Sequence, residues 1–158
     1  MGGTALSVLS PRTAGQVEPI LVEELIAAGM TRYEPDPRLW YSAAGLPYGY
    51  DIQPPGAEIE PEELRLVERA SGTTMRCDIV LHIFVSDVGG RPALARIARE
   101  MARRVDGWVF VEFRSPPAAD LLRRLGDAGR CVRVGDAVCL DAAAMGAWAG
   151  HPGFHVVG

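Results

Sequence analysis

The run "RCDIVLHIFVS" at residues 76–86 constrains the fold of this chain more than any other segment. Its Ile, Val and Phe side chains suit a pleated, packed surface, and the run is far shorter than the roughly 18 apolar residues of a membrane span. A strand this apolar has to be central, so its neighbours in sequence are expected to build the core around it. After the turn "DVGGRP", the segment "ALARIAREMARRV" puts Leu94, Ile97, Met101 and Val105 on one helical face and Arg96, Arg99 and Arg103 on another. That is the pattern of a helix lying on a sheet. "GWVFVEF" at 107–113 returns as a strand, and "TALSVLS" at 4–10 alternates as a further one. With 158 residues, 48% of them hydrophobic, the chain is long enough for one domain with a real core. The expected class is a single-domain α+β (or α/β) sandwich over residues 1–158, with a mixed central sheet of about 4–6 strands and helices packed on it.

Other elements follow from local signals. "PILVEELIAAG" reads as a helix with Leu21, Leu25 and Ala28 on one face, Pro19 in its first turn and Gly29 at its C-terminal cap. "PEELRLVERASG" starts on Pro61 and a glutamate-rich turn and stops at Gly72. "SPPAADLLRRLGDAG" predicts a helix capped by Ser115, with Pro116 in the first turn and Gly129 at the end. In "CVRVGDAVCL", Gly135-Asp136 between two β-like runs predicts a two-residue hairpin of type II′. Its register would set Val134 against Ala137, Val132 against Cys139 and Cys131 against Leu140. "DAAAMGAWAG" predicts a short helix capped by Asp141, and "FHVV" a terminal strand or extended tail. Between about 30 and 61 the chain is rich in Tyr, Pro and Glu and shows little periodicity, so a long irregular segment is expected, with "RLWYS" as a short strand.

The closing "AWAGHPGFHVVG" places His151 and His155 four residues apart, after Cys131 and Cys139, and raises the question of a metal site. Zinc sites usually pair their cysteines two to four residues apart, and alternation along the predicted hairpin sends these two to opposite faces. Neither a metal nor another cofactor is therefore expected. Cys77 and His82, five positions apart in one strand, also face opposite ways and do not form a nucleophile and base. The chain has no lysine, which excludes Schiff-base, P-loop and Ser-Lys chemistry. An anion or small ligand could sit on the 86–92 turn, held by Gly89, Gly90 and Arg91 with His82 nearby. That is the alternative to a protein that binds without catalysis.

Charge is unevenly distributed. Residues 1–63 carry ten acidic and three basic side chains, a balance of −7, whereas the remainder is +3. The overall −4 argues against a nucleic-acid partner, and no segment reads as a membrane span or a leader peptide, so a cytoplasmic protein is expected. All four tyrosines, Tyr33, Tyr41, Tyr48 and Tyr50, lie in the irregular segment with Trp40, close to "GAEIEPEE". Aromatic side chains on a loop beside an acidic patch are typical of protein interfaces, and acidity steers a basic partner. The expected partner surface is Trp40, Tyr41, Tyr48, Tyr50, Glu58, Glu60, Glu62 and Glu63. Self-association into a homo-oligomer is the further option.

The stretches "SDVGGRPALARIAREMARRVDGWVFVEF" and "VGDAVCLDAAAMGAWAGHPGFHVVG" resemble a family of small proteins from GC-rich bacteria that look similar to the immunity proteins encoded beside polymorphic toxins. The resemblance covers roughly residues 76–158. It implies a protein that neutralises a cognate toxin by occluding its active site, and it supplies no catalytic residue.

Overall fold

A computed structural model describes residues 3–157. The strand at 76–86 occupies the place expected of it. It forms β5 (Cys77–Ile83), flanked by β1 (Thr4–Ser10) and β4 (Pro47–Gln53). Outward from β4 lie β3 (Leu39–Tyr41) and β2 (Thr31–Arg32). Beyond β1 come β6 (Trp108–Val111), β8 (Ala137–Leu140) and β7 (Cys131–Val134). The sheet is therefore eight-stranded in the order β2-β3-β4-β5-β1-β6-β8-β7, and every described pairing is antiparallel. This corrects the expectation of a mixed sheet of 4–6 strands. The added strands come from the segment expected to be irregular.

That segment folds as an antiparallel meander. "PYGYDIQ" hides its strand because Pro47 and Gly49 interrupt the alternation, yet both fit the place they occupy. Pro47 is the first residue of β4, where the lost N–H costs least. A Cβ on Gly49 would come 2.5 Å from the Phe84 ring, so the bare backbone is what lets that ring lie on the strand. "RLWYS" does contain the short strand β3, with Trp40 paired to Tyr48.

Helices α1 (Ala14–Ala27), α3 (Arg91–Arg104), α4 (Ala119–Ala128) and α5 (Ala142–Ala149) pack on one face of the sheet. Helix α2 (Pro61–Ser71) packs on the other, over the β1, β6, β8 and β7 side. Alternation along each strand divides the core accordingly. Val8, Ile79, Leu81, Ile83, Val109, Val138 and Leu140 meet the helical layer, while Leu9, Trp108, Val134 and Cys139 meet Val67 and Ile59 on the α2 side.

Two helix starts differ from the expected ones. α1 begins five residues before Pro19, with the Gln16 side chain accepting the Thr13 N–H at 3.0 Å, so Pro19 lies inside the helix. Gly29 closes it as expected. Its φ is 79°, and the Met30 N–H reaches Leu25 O at 3.1 Å. α4 starts at Ala119 with Ala118 as its cap, and Ser115 takes no part. Two consecutive prolines hold the preceding residues out of the α region, which delays the helix. The 131–140 hairpin has the expected register throughout, with φ of 64° at Gly135 as a type II′ turn requires. No helix of the described residues is long and apolar enough to cross a membrane.

Candidate functional site

The hairpin register settles the cysteine geometry. Cys131 packs toward the helical layer and Cys139 is buried on the α2 side, so the two face opposite ways across the sheet. Burial pushes the Cys139 thiol far up, as it does Cys77, whose thiol is raised to about 11. Both are poor nucleophiles for that reason. His151 and His155 pack against Trp148, with ring centroids 5.9 and 5.3 Å away. Among the described residues no group of three or more His, Cys, Asp or Glu side chains is placed to hold a metal.

The eight residues expected to bind a partner do not share a surface. Trp40, Tyr48 and Tyr50 are buried in the main core beneath the helices, which corrects their assignment to an exposed face. Tyr48 donates to Gly90 O at 3.0 Å and Tyr50 to Glu18 Oε2 at 2.8 Å. Burial, followed by the bond to Glu18, pushes the Tyr50 hydroxyl up to about 12. A β-strand turns alternate residues to opposite faces, so tyrosines two apart share one face, and here that face is the inner one. Tyr41 does reach solvent, edge-on to Tyr33 at 6.0 Å. Glu58, Glu60 and Glu62 are exposed and Glu63 is half-buried near the β7-β8 turn.

Nor does the 86–92 turn form an anion site. The Gly89 N–H is taken by Asp87 Oδ1 at 2.7 Å, Pro92 has none to offer, and a carboxylate already occupies the place of an anion. Gly90 is buried, and a Cβ there would come 2.8 Å from the Tyr48 hydroxyl. Arg91 is buried against the protein with its Nε unpartnered. His82 projects from the opposite face of the sheet to the Ile83 side chain that contacts Gly90.

What sequence reading missed is the face that α2 leaves uncovered. On the β2-β5 half of the sheet, Leu39, Tyr41, Pro47, Asp51, His82 and Phe84 project away from the helical layer. Phe84 is 52% exposed, and Val85 and Val88 extend the apolar surface past the end of β5. The Phe84 ring stacks on His82, with centroids 5.4 Å apart. His82 Nε2 lies 3.3 Å from Asp51 Oδ2, and Arg38 Nη1 lies 3.3 Å from Asp51 Oδ1. A polar triad thus borders an aromatic patch. The one available signal was that "LHIFVS" runs on as an apolar stretch beyond its last inward residue, Ile83.

A second feature lies nearer the centre of the sheet. Strands β1 and β6 pair only over Ser7–Leu9 and Trp108–Phe110, and beyond that they part. A cavity of about 400 Å³ opens there, lined by Ala5, Ser7, Glu58, Ile59, Phe110, Glu112 and the 155–157 segment among others. Next to Ser7, and outside the cavity lining, Asp78 is fully buried, its Oδ2 3.5 Å from Ser7 Oγ; its Oδ1 and the Nε2 of Gln53, its register partner on β4, both lack a partner within hydrogen-bond distance. Desolvation pushes its carboxyl up to about 6, with the charge of Glu58 adding to the rise and Ser7 and Gln53 opposing it.

Compared with protein-family models, with curated proteins and with solved structures, the chain finds no match.

Proposed function

We propose that this protein acts by binding another protein on the uncovered half of its sheet, and that the partner is a toxin whose active site it occludes. The observation that carries the reading is the exposure of Tyr33, Tyr41, Phe84, Val85 and Val88, five large apolar side chains on and beside the half of the sheet that α2 leaves uncovered. Contiguous exposed aromatics rimmed by polar groups mark interaction sites in soluble proteins. Arg38, Asp51 and His82 supply such a rim. Toxin neutralisation is what the resemblance of residues 76–158 implies. The −7 balance of residues 1–63 favours a basic partner, since complementary charge speeds encounter and orients docking.

Co-expression with the product of the neighbouring gene, followed by capture, tests this reading. Phe84→Glu and Tyr41→Glu are expected to weaken capture at least tenfold with a loss of thermal stability of about 1 kcal/mol or less, because the side chains are 52% and 38% exposed. Undiminished capture by both variants would remove this face from the interface. Loss of capture on charge reversal of Glu60, Glu62 and Glu63 alone would move the interface to the start of α2.

A further inference from the structure

The pairing of β1 with β6 stops at Ser7 and Phe110, although the residues on either side continue as two walls of one cavity. The phase of the ladder decides which backbone groups are left open there. The Phe84 N–H donates to Pro47 O at 3.0 Å, so residues of β5 in step with Phe84 bond toward β4 and those between them toward β1. Thr4, Leu6 and Val8 therefore bond toward β5, and Ser7 and Leu9 toward β6. The two-residue hairpin at the far edge gives the same phase. Val134 and Ala137 bond to each other, so Val138 and Leu140 bond toward β6, whose Trp108 and Phe110 are left to bond toward β1. Ala5 is the next member of the β1 series and turns its N–H and C=O toward the gap. Glu112, which the register would set against it, does not pair with it, and Ala5 has no backbone partner on that side among the described residues. The Arg114 N–H, two residues further on, goes to a side chain, His155 Nε2, at 3.2 Å.

A frayed strand end is ordinary, but this edge is held in shape. Ala5 stays in register with His82 on β5, so its backbone is kept extended with one side bonded and the other open. Gly3 and Ala5 are both exposed and carry almost no side chain to shield the open side. The two outer edges of the sheet differ in this respect. β2 is two residues long and β7 carries Arg133, and short or charged strands resist pairing with another chain. The walls of the gap are apolar on both faces of the sheet. Leu6, Val111 and Val156 belong to the core under the helical layer, and Ile59 and Phe110 to the α2 side. A preformed strand edge between two apolar walls suits an extended peptide, whose backbone supplies the hydrogen bonds and whose alternate side chains fill the two sides.

From this we infer that the gap receives an extended segment of the protein partner, which adds to β1 as a short strand. It exchanges backbone hydrogen bonds with Ala5 and sets alternate apolar side chains against Leu6, Val111 and Val156 on one face and Ile59 and Phe110 on the other. The inference rests on the proposed protein-binding role and names the way the partner is held. A second copy of this chain is a poorer occupant, because its strands are already paired within its own sheet.

Amide hydrogen exchange of the free protein, read residue by residue by NMR, is the first measurement. The Ala5 N–H is expected to exchange at least about tenfold faster than those of Leu6 and Val8, which bond to β5. Equal protection would mean that the gap is already filled, by the closing segment or, if protection rises with concentration, by a second copy, and would overturn the inference. The probe for the gap is acetyl-Thr-Val-Thr-Val-Thr-amide, compared with two analogues N-methylated at the valines or at the threonines, each of which blocks one edge of the added strand. The unmodified peptide is expected to give saturable shifts at Ala5 and Glu112 and to slow Ala5 exchange. At least one analogue is expected to bind about tenfold more weakly or worse, because it has lost the donors that face β1. Ala5→Pro removes the open N–H while Thr4 and Leu6 keep their bonds to β5, and is expected to abolish the response. Phe84→Glu is expected to leave it unchanged. If the proline variant lacks a native spectrum, the methylated peptides decide alone. Equal binding of all three peptides, or no saturable binding of the unmodified one, would overturn the inference. Capture that depends on Phe84 but not on Ala5→Pro refutes the gap alone. Capture lost in a natively folded Ala5→Pro but indifferent to Phe84 and Tyr41 refutes the aromatic face alone.

Discussion

Trp148→Ala is expected to lower the unfolding free energy by about 3–5 kcal/mol, the range for removing a large aromatic side chain from a packed core. Trp148 is only 1% exposed, and it joins α5 to segments distant in sequence. Its ring meets Phe113 at 5.3 Å, Phe154 at 5.6 Å and both histidines of the closing segment within 6 Å. Edge-on contacts of this kind add to the burial itself. α5 is in turn packed between α3 and α4, so the cavity left by the indole would sit where three helices meet and little can move in to fill it. Urea unfolding followed by far-UV circular dichroism measures the loss. Trp148→Phe is expected to recover more than half of it. A loss below 1 kcal/mol for Trp148→Ala would mean that the C-terminal segment 151–157 is not docked as described.

Asp78→Asn is expected to act in the opposite direction, and only at neutral pH. The folded carboxyl titrates near 6, above the ordinary aspartate value of 3.8, because burial disfavours its charge. A group raised on folding contributes full stability below its unfolded value, and that contribution is lost as pH rises from about 4 through 6. Above that window the wild type carries a penalty of about 3 kcal/mol, from about two units at 1.36 kcal/mol each. Asparagine cannot ionise and keeps an acceptor for Ser7 Oγ, so the variant is expected to be more stable than wild type at pH 7.5 and nearly equal to it at pH 4.5. Thermal unfolding across pH 4.5–8 checks both the sign and the window. A variant that is destabilised by the same amount at every pH would show that the charged carboxylate is held by bonds stronger than those from Ser7 and Gln53.

The elements that were legible in sequence are those whose signals are local. The strand at 76–86, the helix ending at Gly72, the Gly135-Asp136 turn and the cap at Asp141 each depend on a few adjacent residues, and each is where its residues place it. The 30–61 segment was harder to read. Its strands are short, and β4 is interrupted by Pro47 and Gly49, whose presence is explained only by the position of the strand start and by the Phe84 ring lying across it. Composition drew attention to the tyrosines, but alternation turned Tyr48 and Tyr50 inward and left Tyr41 outside. Phe84, the most exposed of the aromatics, sits in a run whose apolar character suggested core.

By itself, then, the sequence determined a single α+β domain around one dominant strand, the hairpin register, and the separation of Cys131 from Cys139. Periodicity and turn chemistry are enough for these, because each acts within about ten residues. Which face of the sheet stays uncovered, and how a buried carboxylate comes to lie beside Ser7, were decided only by tertiary structure. α2 covers one part of the outer face and not the other, and the pairing of β1 with β6 stops at Ser7 and Phe110. Asp78 and Ser7 are 71 residues apart in the chain and come together only because β5 pairs with β1. No local pattern encodes a contact of that range.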